Sequence, residues 1–195
     1  MSTFEFPLLC TLLLLSPLYS NAAAPLVSKA NNKSNALVNK ACSGGTDKPA
    51  CINYLKSNPK LMAAAATSKP LEFALAILQS AVDQAKNTHA YLSKPKGKLS
   101  PQAIQAYNDC KTNWDYVASG LERSLKIIKE EKGYATDTTD YDLKMNLNSG
   151  RDCATLLLEA KIQDPVVAKG LENAELAVGA ADTILEGVKP PKKLD

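Results

Sequence analysis

Residues 100–132, SPQAIQAYNDCKTNWDYVASGLERSLKIIKEEK, constrain the fold of this chain more than any other stretch. Ser100 precedes Pro101, an N-cap hydroxyl followed by the residue best tolerated at the first helical position. Beyond it Tyr107, Trp114, Leu121 and Ile128 recur every seven residues, with Ile104, Val117 and Leu125 beside them. No proline or β-branched cluster interrupts the run, and a lone Gly120 is tolerable in so long a helix. About thirty helical residues span ~45 Å. A stripe that narrow is buried only by partner helices, so the rest of the chain must supply them.

Three further segments read as those partners. Pro70 opens a helix in which Leu71, Leu75, Leu78, Val82, Ala85, His89 and Leu92 alternate spacings of four and three. It stops before Lys94-Pro95-Lys96-Gly97. A third helix is expected over residues 142–162 with Leu143, Leu147, Ala154, Leu158 and Ile162 inward, although Asn146, Asn148, Ser149 and Gly150 dilute its face. Asp164-Pro165 opens a fourth, where Val167, Leu171, Ala174, Val178, Ala181, Leu185 and Val188 keep the same rhythm until Lys189-Pro190-Pro191. Small residues on it (Ala174, Ala177, Gly179, Ala180, Ala181) allow close neighbours. Helices joined by short loops pack antiparallel. The expected fold is all-α, an up-down-up-down four-helix bundle over residues 70–189, followed by a short tail at 190–195.

Ahead of the bundle the chain changes character. Residues 8–18 form an apolar run followed by small residues, the pattern of a secretion signal. Ser20-Asn21-Ala22 fits the cleavage rule, so residues 1–22 are expected to be removed. The run is too short for a membrane span, which needs ~20 apolar residues, and it is broken by Ser16 and Pro17. Residues 23–69 open on a polar, Asn-rich stretch at 23–40, with a weak amphipathic piece at Ala36-Leu37-Val38, and continue with a short helix expected over residues 51–57, ended by Asn58-Pro59. They form an N-terminal helical hairpin extension. Within them Asn32-Lys33-Ser34 is the one N-glycosylation sequon.

Of five cysteines, Cys10 leaves with the signal and Cys42, Cys51, Cys110 and Cys153 remain. An even number in an exported chain reads as two disulfides. Three pairings are open, and spacing favours Cys42–Cys51 with Cys110–Cys153, because Gly44, Gly45 and Pro49 bend the short loop. If Cys110 and Cys153 are joined across straight helices, the second helix runs some 20 residues (~30 Å) beyond the staple. Only about 11 helical residues precede Cys153, so residues 133–141 are expected to form a projecting, exposed tip.

Nothing in the sequence assembles into catalytic chemistry. His89 is the only histidine and lies on a helix seam, with no glycine-flanked nucleophile turn and no phosphate loop anywhere. The cysteines lack a histidine at zinc-ligand spacing. A net charge of +3, about +4 once Glu5 has gone, is mild, and the lysines are interspersed with acids, which argues against nucleic acid. No enzyme, cofactor or metal is expected.

The cysteine framework, together with Ala106-Tyr107-Asn108-Asp109-Cys110 and then Tyr116 and Leu121, resembles the plant invertase/pectin methylesterase inhibitor family over residues 36–188. The resemblance implies a bundle capped by an N-terminal hairpin, the pairs Cys42–Cys51 and Cys110–Cys153, and a secreted one-to-one inhibitor that blocks the cleft of a cell-wall enzyme. Invertase inhibitors of this kind carry Pro-Lys-Phe in the tip segment, where this chain reads Gly133-Tyr134-Ala135-Thr136-Asp137. Before Cys153 it reads Met145-Asn146-Leu147-Asn148 rather than the usual Ser-Ala-Ala-Leu-like run. These departures weigh more against invertase than against pectin methylesterase as target. Glu122, Lys126, Asp142 and Lys144, polar positions of the second and third helices, are the candidate contacts. The other class open to such a bundle is a structural, allergen-like protein or a carrier of apolar ligands, which needs a cavity among its helices.

Overall fold

The computed structural model describes residues 24–45, 47–94, 97–134 and 137–188; the expected signal and the tail at 190–195 lie outside them. Eight helices occupy the described residues: α1 Ala24–Ala41, α2 Lys48–Ser57, α3 Pro59–Ala66, α4 Pro70–Leu92, α5 Pro101–Glu131, α6 Asp137–Met145, α7 Asn148–Glu159 and α8 Pro165–Leu185. Five of them, α2, α3, α4, α5 and α8, start with proline in the first two positions. Asp47, Asn58, Ser100 and Asp164 cap the free N–H groups at four of those starts.

The bundle is α4, α5, the α6–α7 pair and α8. α4 packs on both α5 and α8, α5 packs on α7, and α7 and α6 close the ring against α8. Because α4 is covered on two sides and by α3 as well, its buried face is wider than one seam. Phe73, Ala74, Ile77, Ala81 and Thr88 join Leu78, Val82, Ala85 and Leu92 inside, while Leu71, Leu75 and His89 are half-buried. On α5, Trp114, Val117, Leu121 and Ile128 are buried as the spacing predicts, but Ile104 is exposed. Ile104 lies six residues before Cys110, and α7 ends six after Cys153, so at that level α7 has run out. On α8 the expected positions are buried or half-buried throughout. Gly170 matters there: a Cβ on it would collide with Thr88 of α4.

The third rod differs from the expected single helix. It breaks at Asn146-Leu147 into α6 and α7. Asn146 turns its amide to Ser124 Oγ (3.0 Å) and lies against Gly120, where a side chain would collide with it. The break resets the inward face, so Leu157 is buried and Leu158, expected inside, is 72% exposed. The described residues on either side of positions 135–136 do not form a projecting tip either. Lys132 ends α5 in the left-handed conformation (φ 58°), and Gly133 is buried and donates its N–H to Ile128 O at 3.0 Å. Tyr134 then reaches Asp182 of α8. A buried carboxylate with hydrogen-bond donors to gather draws the segment back onto the bundle.

The extension holds three helices rather than one and a fragment. Asn58-Pro59 ends α2 but also caps and starts α3, Asn58 accepting from the N–H groups of Lys60 and Leu61. Val38, Leu55, Leu61 and Ala65 bury this layer, which rests on α4 and α8. Cys42 and Cys51 join α1 to α2 with a Cα–Cα distance of 5.7 Å, and Cys110 and Cys153 join α5 to α7 at 4.5 Å.

Candidate partner-binding face

One side of α5 faces away from the core. Tyr116, Gly120, Arg123 and Ile127 repeat at spacings of four, three and four, which places them on one stripe. Across from them α6 and the α6–α7 break contribute Thr139, Asp142, Met145 and Asn146. Together these line a groove of about 300 Å³. Large apolar side chains stand exposed along it and beside it: Tyr116 and Tyr141, each 61%, with Met145 and Ile127. Arg123 and Asp142 both line the groove, and among the described residues neither is in an ion pair. The groove therefore places exposed apolar side chains beside two charges of opposite sign.

A polar cluster fixes the far wall. Lys144 Nζ lies 2.7 Å from Asp140 and 3.0 Å from Asp182, whose other oxygen accepts from Tyr134 at 2.6 Å. The Asp140 bond, joined by Asp182, pushes the Lys144 ammonium up to about 12. Burial raises the Asp182 carboxyl above its ordinary value despite its donors, and burial with the Asp182 bond raises the Tyr134 phenol. Two carboxylates, the buried Asp182 and the half-buried Asp140, share one partly exposed ammonium. This tie holds α6 to α8 and so holds Asp142 and Met145 where they face α5.

At the opposite end, Asp164 caps α8 through Val166 and Val167, and its second oxygen accepts from Tyr91 and Tyr107, each at 3.0 Å. One carboxylate thus fastens the end of α4 and the start of α5 to the start of α8. Burial, with that bond, pushes the Tyr107 phenol up to about 12.

The four candidate contacts do not converge. Glu122 pairs with Lys86 of α4 at 2.9 Å, on the other flank of α5. Lys126 points to solvent beside Glu130, and Lys144 is engaged by two aspartates. Only Asp142 lies in the groove. Arg123, Tyr141 and Met145 carry no signal of contact in the sequence; Ile127, a large apolar residue standing off the seven-residue stripe of α5, does. Asn32 is exposed on α1. Among the described residues no group of three or more His, Cys, Asp or Glu is placed to hold a metal ion, and no helix is long and apolar enough to cross a membrane.

In class, then, this is an all-α four-helix bundle with a helical N-terminal extension and two disulfides. The family model for plant invertase/pectin methylesterase inhibitors matches residues 36–183, and the chain belongs to that family. Among solved structures it is similar to a mutant form of a pectin methylesterase inhibitor from Arabidopsis, with a TM-score of 0.65 and 18% identity over 77% of this chain and 95% of that one. No curated protein matches.

Proposed function

We propose that this protein is an exported, non-enzymatic inhibitor of pectin methylesterase, binding one enzyme molecule through the α5–α6 groove and covering its active-site cleft. The observation that carries the reading is the groove itself, where unpaired Arg123 and Asp142 sit among exposed Tyr116, Ile127 and Met145. Binding energy in such interfaces concentrates in a few central aromatic and arginine side chains. Tyr116 and Arg123 are those residues here, and Asp142 sets register by charge. Two disulfides fit passage through an oxidising compartment and delivery to the cell wall after loss of residues 1–22. Against an apolar carrier stands the bundle interior, where the large side chains of Trp114, Phe73, Ile77 and Leu121 are fully buried.

The test is a pectin methylesterase assay with purified, oxidised protein at mildly acid pH. Inhibition is expected, weakened about tenfold or more by Tyr116→Ala or Arg123→Ala and unchanged by Glu122→Ala. Absence of inhibition against several esterases at micromolar protein overturns the reading. A parallel invertase assay separates the two activities that the family name joins.

A further inference from the structure

Asn32-Lys33-Ser34 has no part in the inhibitor reading. Acceptor sequons ordinarily lie in surface loops, but this one lies inside α1. Helical residues two apart point about 200° from each other, so their side chains do not meet on one face. The structure shows the split: Asn32 is exposed, whereas Ser34 is only 3% exposed. The hydroxyl is part of what defines the acceptor, so a transferase must reach the amide and the hydroxyl together. In the folded chain it reaches the amide alone. The same helix buries Val38 and Ala41, and Cys42 directly after it is bonded to Cys51, which holds α1 down.

We propose that Asn32 accepts a glycan only while α1 is undocked, so that the sugar is attached before Ser34 is buried and the folded, oxidised protein is closed to the transferase. The proposal rests on the export reading above. In the step, Nδ2 of Asn32 forms a bond to the anomeric carbon of an oligosaccharide carried on a lipid diphosphate. The bond from that carbon to the phosphate oxygen breaks, the lipid diphosphate leaves with the electron pair, and one amide proton passes to a base of the transferase. Once attached, the glycan stands on α1, which packs chiefly on α2, α3 and α8. The α5–α6 groove stays uncovered.

The experiment offers the purified chain, with a lipid-linked oligosaccharide, to detergent-solubilised oligosaccharyltransferase in two states: refolded and oxidised, or reduced and unfolded. The unfolded chain is expected to gain a glycosidase-sensitive mass at Asn32. The folded chain should gain it at least about tenfold more slowly, because only its locally opened fraction reacts. Ser34→Ala removes the modification in both states, and Cys42→Ser, which frees α1 from α2, raises the folded-state rate. Equal rates in the two states, or no modification of the unfolded chain, overturns the proposal. Export is judged separately, by whether residues 1–22 are removed in a eukaryotic secretory host, so failure of one reading is distinct from failure of the other.

Discussion

A few side chains decide how closely the rods approach. Gly120 lets the α6–α7 break press onto α5, and a methyl group there displaces Asn146 from Ser124. Gly120→Ala is expected to cost about 1–3 kcal/mol. Gly179→Ala is its control: an added Cβ meets nothing within 4 Å in the interior of α8. That substitution should stabilise by about 0.5–1 kcal/mol through the entropy of the unfolded chain. Urea denaturation of both variants reads the opposite signs. Asp164 is the other decisive residue, because one carboxylate serves a cap and two tyrosines. Asp164→Ala should cost about 2–4 kcal/mol, with the tyrosinate titration shifting toward ordinary values. Tyr107 moves furthest, down from about 12.

At the level of single helices, α6 is the element whose docking answers to pH. Asp182 has a folded-state value above the ordinary carboxylate range. The folded protein therefore binds the proton more tightly than the unfolded one. The stability gained from that proton is present at acid pH and is lost as pH rises through the folded value. The Asp182 contribution to stability is thus expected to decline as pH rises from the ordinary carboxylate value, about 4, through the folded one, and the stability difference between wild type and Asp182→Asn, read from denaturation curves at each pH, should change in that direction. Of this only the i,i+4 spacing of Asp140 and Lys144 was legible in the sequence, since Tyr134 and Asp182 come from two other segments. What was legible followed period or punctuation. α4, α5 and α8 announced themselves through seven-residue or four-three rhythm and a proline at the start, preceded in α5 and α8 by a capping Ser or Asp, because these long helices bury continuous stripes. α3 was hidden because Asn58-Pro59 serves both as a stop and as a start. The broken third rod was hidden because Leu158 fits the helical rhythm until the break at Asn146 rotates it outward. Likewise the groove residues Arg123 and Met145 carry no pattern of their own; only packing shows which side of α5 remains uncovered.

Over the whole molecule, the sulfur bridges and the core share the task of holding the layers together. On the chain-entropy model, bridges spanning sequence separations of 9 and 43 residues contribute about 2.7 and 4 kcal/mol respectively. Reduction by dithiothreitol should therefore lower the melting temperature, and more when only the Cys110–Cys153 bridge is removed than when only Cys42–Cys51 is. The longer bridge has a second effect. Everything between α5 and α7, including the connection into α6, lies inside the covalent ring that it closes. A hydrolase that nicks the backbone there opens a loop without releasing a piece. On a gel the nicked protein should migrate as one band until thiol is added, then as two. One severed peptide bond in that stretch therefore leaves the molecule in a single piece.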